Sequence, residues 1–321
     1  MRRWSADALV RPFSARENDP GDAQEPAPQS ADGDSESYPE LAGQSAEPDP
    51  EAFPRRVPNF GHALLFVCFA GLMLLITQII LFALGESPVA AQGGVITIPH
   101  PKLQLAALAA SYLTTLLAAW LFYPVLWQRG FLDGIRWHWE AARRQAPKLI
   151  ALGLLLGAIV QAATYFIAAP KSSPIDDFFL TQSNAWLITI FGTIVAPVFE
   201  EVCFRGFLVP AFAIAYDWLS LPRTAEGLVR WRTTATLTPA ALIFSAILSS
   251  IFFAWLHAEQ VGHARGILVV LFCVSLVLTF VRVKTDSVAA SAMVHGAYNF
   301  FVFLIVMIQT GGYRHFDRLL K

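Results

Sequence analysis

Six polar side chains stand in otherwise apolar stretches as a set able to run hydrolytic chemistry: Glu200, Glu201, Arg205, His257, His295 and Asn299. Glu200 and Glu201 follow Ile194-Val195-Ala196-Pro197-Val198-Phe199 and precede Gly206-Phe207-Leu208-Val209. Insertion scales put a charge at a bilayer centre at roughly 2.5–3.5 kcal/mol, so two adjacent carboxylates in such a run need a reason to persist. Arg205 supplies part of it: on a helix it lies one turn after Glu201, acid before base, the favourable order for an ion pair on one face. Glu200 is turned about 100° away from Glu201. It is therefore the carboxylate less tied up in pairing and more available as a base.

His257 closes the run Ser249-Ser250-Ile251-Phe252-Phe253-Ala254-Trp255-Leu256, with Phe253 one turn before it on the same face. His295 and Asn299 share a face within Met293-Val294-His295-Gly296-Ala297-Tyr298-Asn299-Phe300, and Gly296 and Ala297 would let a neighbouring helix approach closely. Each group has a plain structural reading as well: a helix-end ion-pair cluster at the membrane surface, a packing or interfacial histidine, an interhelical hydrogen bond. Together they supply what hydrolysis needs, a carboxylate to take a proton from water, an imidazole or metal to position the water, and donors for an oxyanion. The other histidines, His62, His100, His138, His263 and His315, fall at predicted helix ends or in loops. No Gly-x-Ser-x-Gly elbow, Walker loop, dinucleotide glycine pattern or His-Glu-x-x-His zinc signature is present.

The elements that must position these groups are membrane helices. The chain is 55% hydrophobic and 15% charged, far from the soluble globular norm. Its net charge of −1 gives no reason to expect a nucleic-acid partner. Apolar runs cover residues 60–85, 103–127, 149–169, 185–216, 239–256, 266–281 and 287–308. Most approach the ~20 residues that a helix needs to cross the hydrocarbon core, and helices alone satisfy their own backbone there. Thr238-Pro239 and Asp286-Ser287 read as helix starts, and Gly311-Gly312 as a stop.

The fold class is therefore an all-α, polytopic transmembrane helix bundle with seven to eight spans and a disordered N-terminal arm. The count turns on residues 185–216, which form one long helix or two short ones meeting near Glu200. Charge counting favours seven; a common depth for Glu200 and His257 favours eight, the reading preferred here. Arg55 and Arg56 before the first span, with Arg129, Arg136, Arg143, Arg144 and Lys148 between the second and third, place the N-terminus in the cytoplasm. Residues 17–53 are acidic, rich in Pro and Ser, and free of Lys and Arg, the composition of a disordered arm. Cys68, Cys203 and Cys273 lack metal-ligand spacing and read as small core residues. The expected division is an arm at 1–57, two spans and a cytoplasmic loop at 58–148, a catalytic core at 149–312 and a short basic tail at 313–321.

Glu200-Glu201-Val202-Cys203-Phe204-Arg205 reads as EExxxR, Phe253 to His257 as FxxxH, and His295 to Asn299 as HxxxN. In that order the motifs resemble the intramembrane proteases grouped as CAAX prenyl endopeptidases and bacteriocin-processing proteins, over roughly residues 149–309. The resemblance implies that Glu200 is the general base, that His257 binds or polarises the water, that His295 and Asn299 stabilise the oxyanion, and that Glu201 and Arg205 support them. It also raises a divalent metal, zinc among the candidates, with Glu200, His257 and His295 as ligands; a Glu200 that ligates metal is not also a free base. The implied protein is a multi-pass endopeptidase of a bacterial plasma membrane, acting on a membrane-bound protein or peptide such as a lipid-modified tail. A noncatalytic immunity or scaffold protein using the same helices is the alternative, and an ion- or proton-coupled transporter a third.

Overall fold

The structure, a computed structural model, describes residues 56–85, 90–92, 95–97, 100–167 and 174–317. The acidic stretch at 17–53 and the last residues of the basic tail lie outside the described residues.

Helix α1 (Phe60–Ala83) opens on a reciprocal cap. The Asn59 side-chain oxygen accepts from the His62 backbone N–H at 3.2 Å, and His62 Nδ1 accepts from the Asn59 N–H at 3.1 Å, pairing donors that a helix start leaves over. Strands β1 (Ala90–Gln92) and β2 (Val95–Thr97) then form an antiparallel ribbon with Ala91 opposite Ile96. The all-α reading does not anticipate this ribbon, although Gly93-Gly94 between the strands is a hairpin-loop composition. Helix α2 (Pro101–Trp127) carries proline at its first position, where no N–H is missed. The short helices α3 (Phe131–Gly134) and α4 (Trp139–Arg144) lead into α5 (Ala146–Thr164).

After a 3-10 turn at Pro174–Phe179 comes an unbroken run of 38 residues, Gln182–Leu219. It is built from α6 (Gln182–Ile190), a π-helical segment Phe191–Val195, α7 (Ala196–Glu201), a second π segment Val202–Leu208, and α8 (Val209–Leu219). Among the described residues this stretch is one span and not two, and the preferred eighth span is not found. Each π segment stops two residues short of a proline, Pro197 or Pro210. A proline inside a regular α-helix loses a hydrogen bond and clashes with the carbonyl four residues back, and the wider π turn accommodates both defects without breaking the run.

Helix α9 (Ala225–Thr233) is a surface connection, followed by α10 (Pro239–Leu256), α11 (Arg265–Thr285) and α12 (Val288–Gln309). Thr238 and Ser287 cap α10 and α12 by accepting from the N–H groups of Ala241 and Ala290. Gly311 and Gly312, with φ of 60° and 78°, follow the end of α12. Glu200 lies nineteen residues before Leu219 and His257 eighteen after Pro239, so packing α8 against α10 brings them level with no additional span. Among the described residues seven helical runs are long and apolar enough to cross a membrane, the organisation of a multi-pass membrane protein. The reading of the cysteines as core residues needs correction: Cys68 and Cys273 are exposed on the outer faces of α1 and α11, and Cys203 is half-buried. In a lipid-facing helix apolar residues lie on every side, so an apolar neighbourhood does not mean a buried one.

Helix α12 is held from two sides by small residues. Gly153 and Gly157, one turn apart on α5, face it so closely that a Cβ at Gly153 would stand 2.5 Å from the Val294 carbonyl oxygen and one at Gly157 2.7 Å from Phe301 Cβ. On the opposite side a Cβ at Gly296 would meet the Thr193 carbonyl at 2.8 Å. This is the close backbone approach that membrane helices use in place of a hydrophobic driving force. Gly153→Ala is expected to lower the thermal stability of the detergent-solubilised protein, by about 1–3 kcal/mol if the overpacking resembles that in other cores. Gly71→Ala, where nothing stands within 4 Å of the added carbon, is the control expected to leave the melting temperature unchanged or raised. Equal melting of the two variants in a size-exclusion stability assay would contradict the packing argument.

Candidate active site

The fourth span delivers Glu200 and Glu201 on neighbouring faces, and the two carboxylates meet different surroundings. Glu201 and Arg205 have no exposed side-chain surface and form an ion pair, with Arg205 Nη1 donating to Glu201 Oε1 at 2.8 Å. Arg205 Nη2 donates to both the backbone carbonyl and the hydroxyl of Ser275 on α11, each at 2.8 Å. Its guanidinium carbon lies 5.1 Å from the centre of the Phe253 ring on α10, within cation–π range. His295 on α12 directs Nδ1 to the same Glu201 oxygen at 2.9 Å. One buried charge pair thus ties the fourth span to α11 and α12 and rests against α10. The sequence spacing predicts the Glu201–Arg205 pair. Ser275 carries no signal that would single it out among the polar residues of an apolar run.

Glu200 is the other case. Its Oε2 is buried and has no hydrogen-bond partner among the described residues. His257 Nε2 stands 3.7 Å from it and His295 Nε2 3.8 Å. The hydrogens of both imidazoles follow from their other nitrogens. His257 Nδ1 lies 2.7 Å from the Phe253 carbonyl, which only accepts, and His295 Nδ1 faces the ion-paired carboxylate of Glu201. Each Nδ1 therefore carries the hydrogen, and in the neutral ring each Nε2 turns a lone pair towards Glu200. Three acceptors directed at one place are matched by a hydrogen-bond donor such as water, or by a cation. The phenylalanine of the FxxxH motif holds this group together, its ring centre 4.5 Å from that of His257 and 5.9 Å from that of His295.

A tetrahedral zinc site with bonds near 2.0–2.1 Å has ligand atoms roughly 3.3 Å apart. The separations of 3.7 and 3.8 Å are wider. Among the described residues no group of three or more His, Cys, Asp or Glu is closed enough to hold a metal ion as it stands. The donor set of one carboxylate and two imidazoles is nevertheless one that zinc accepts, and a small inward movement of these side chains would complete it.

Asn299 lies one turn beyond His295 on α12, and its Nδ2 donates to the Gly192 carbonyl at 2.7 Å. The reason is local. In the π segment the Ala196 N–H bonds to the Phe191 carbonyl, so the next N–H in register would come from residue 197, which is proline. Gly192 is left without its helical donor, and Asn299 supplies one. All six residues singled out in the sequence thus lie on three adjoining spans: Glu200, His257 and His295 face one another, Glu201 and Arg205 stand behind them, and Asn299 bonds to the fourth span. Sequence reasoning passed over Tyr112 and Tyr298, which pack beside the site, Tyr298 with its ring centre 6.2 Å from that of His295. Tyr112 stacks on Phe199 with ring centres 3.8 Å apart. The only sequence signal for either is a phenol in an apolar helix, in one case next to Asn299.

The match to known proteins falls on this same part of the chain. The family model described as type II CAAX prenyl endopeptidase Rce1-like matches residues 182–301, from the first residue of α6 to the second turn beyond His295. The matched stretch contains all three motifs, and the family is one of proteases, in agreement with the resemblance read from the motifs. It leaves out α5, which the resemblance included. No curated protein and no solved structure matches the chain.

The two acids are expected to respond differently to substitution of their neighbours. Arg205→Ala strands a fully buried carboxylate, a defect of about 3–5 kcal/mol, whereas Glu200→Ala removes an oxygen that has no hydrogen bond to lose. The yield of monodisperse protein should fall steeply for Arg205→Ala and little for Glu200→Ala, and the reverse order would contradict the assignment of Arg205 to Glu201.

Proposed function

We propose that this protein is an intramembrane endopeptidase that hydrolyses a peptide bond in a membrane-tethered substrate, with Glu200 as the proton acceptor. The observation that supports this reading is the unpartnered Glu200 Oε2, faced by two imidazole nitrogens inside an apolar bundle. Water placed among these three acceptors gives a proton to Glu200 as its oxygen attacks the scissile carbonyl, while His257 orients it. The low polarity of the surroundings strengthens each of these interactions relative to bulk water. Asn299, through the N–H not used by Gly192, is the donor next to the developing oxyanion, and His295 joins it as an imidazolium, its second hydrogen on Nε2 and its charge favoured by Glu201 at Nδ1. Glu200 then returns the proton to the leaving amine. Glu201 and Arg205 act through His295 and are positioning residues.

Should a divalent ion such as zinc take part, Glu200, His257 and His295 are the residues that would hold it, and it would supply Lewis acidity and a more acidic bound water. The arginine-rich segments between α2 and α5 and between α8 and α10 end on one side of the bundle, which supports an orientation with that side, and the N-terminus, in the cytoplasm. The setting and the matched family support a peptide presented at the membrane surface as substrate, with a lipid-modified carboxyl-terminal tail as the first candidate.

The test is cleavage of a farnesylated peptide and its unmodified counterpart by the purified protein in lipid. Wild type is expected to cleave, and Glu200→Ala and His257→Ala to lower turnover by about 100-fold or more, the scale of lost general acid–base catalysis. Unaltered cleavage by Glu200→Ala would end the hydrolase reading. Inactivation by a chelator, reversed by added zinc, would move Glu200 from base to ligand.

A further inference from the structure

A cavity of about 580 Å³ opens at the arginine-rich end of the bundle, and none of the six site residues lines it. Leu242 on its wall is fifteen residues from His257 along α10, about 22 Å at 1.5 Å per residue. The charged part of the wall consists of Arg56, Arg129, Arg136 and Arg282 with a single carboxylate, Asp286. That carboxylate is shared: Oδ2 accepts from Arg136 at 2.6 Å and Oδ1 from Arg282 at 3.0 Å. The remaining cations are not neutralised within the lining. Arg56 donates to two neutral carbonyls, those of Trp231 and Thr234. The acid nearest in influence, Asp217, already accepts the Thr238 N–H and hydroxyl. Arg129 is exposed and makes no hydrogen bond or ion pair among the described residues. Arg282 is the most telling, with a side chain only 10% exposed and its Nε buried and unbonded.

Asp286 joins only Arg136 and Arg282, so the four guanidinium groups around the cavity carry more positive charge than its one carboxylate offsets, and a further anion would relieve their repulsion. Planar guanidinium donors match phosphate oxygens in paired hydrogen bonds. Most of the remaining lining is apolar, Val209, Ile214 and Leu242 among it, which a free phosphate ion has no use for. The cavity also sits where membrane helices end, beside Trp218 and Trp231, whose rings lie 5.1 Å apart, and Arg56 covers Trp231 at 3.7 Å. Tryptophan at helix ends marks the headgroup level of a bilayer.

We propose that this cavity binds an anionic phospholipid, with its phosphate among Arg56, Arg129 and Arg282 and an acyl chain along Val209 and Leu242. The shared chemistry is a phosphate group, and the experiment separates its sources. Full-length protein is taken through delipidating detergent and offered dioleoyl phosphatidylglycerol, dioleoyl phosphatidylcholine or inorganic phosphate, and both melting temperature and lipid adducts in native mass spectrometry are read. Phosphatidylglycerol is expected to give a one-to-one adduct and to raise the melting temperature; phosphatidylcholine should do neither, and inorganic phosphate should give little protection. Arg129→Gln, which breaks no hydrogen bond or ion pair among the described residues, is expected to fold with unchanged melting temperature in lipid-free detergent and to weaken phosphatidylglycerol binding at least threefold. Equal retention of the two lipids, or undiminished binding by Arg129→Gln, would overturn the proposal. Protection by inorganic phosphate equal to that by phosphatidylglycerol would assign the cavity to a soluble phosphate compound and overturn the lipid assignment.

Discussion

The arrangement rests on one pair of opposite charges placed where neither would persist alone. Glu201 and Arg205 are wholly enclosed, and they pair through one carboxylate oxygen while each reaches a different neighbour: Arg205 takes Ser275 of α11, and Glu201 takes His295 of α12. A buried ion pair adds little net stability, because desolvation offsets most of the attraction, but its geometry is demanding and its disruption severe. The pair therefore acts as a registration device among helices that otherwise present only interchangeable apolar surfaces. It fixes the hydrogen on His295 and turns the far nitrogen of that ring to Glu200. The free acid owes its surroundings to the paired one.

Close packing completes what the charges begin. Helix α12 carries His295 and Asn299, and it approaches α5 at Gly153 and Gly157 and the fourth span at its own Gly296. The fourth span adds a feature of a different kind. Pro197 deprives the Gly192 carbonyl of its helical donor, and the Asn299 amide occupies the position thus opened. An interruption in one helix becomes the attachment point of another, a compensation that backbone groups in lipid require because no water is at hand to solvate them.

Much of this was legible in the residues. Helical spacing alone pairs Glu201 with Arg205 and sets Glu200 apart, because a turn of about 100° separates adjacent side chains. Hydropathy and the capping residues Thr238 and Ser287 mark the spans that carry the site. What escaped did so for physical reasons. Pro197 and Pro210 look like helix breakers, and only the π segments ahead of them show how one run spans 38 residues. Cys68 and Cys273 have apolar neighbours whether they face lipid or protein, so hydropathy cannot separate the two environments. Ser275 contributes a carbonyl as much as a hydroxyl, and backbone acceptors leave no mark on residue type.

The corner where the end of α8 meets the start of α10 has a bearing on the far end of those helices. Asp217, near the end of α8, accepts both the backbone N–H and the hydroxyl of Thr238, the residue that caps α10. Two anchored bonds at this corner leave the pair no freedom to slide. A slip of one residue would displace α10 by 1.5 Å and rotate it through about 100°, enough to swing His257 out of facing Glu200. The distance between an imidazole and an acid is thus governed from an aspartate and a threonine five turns away, at a corner that touches neither.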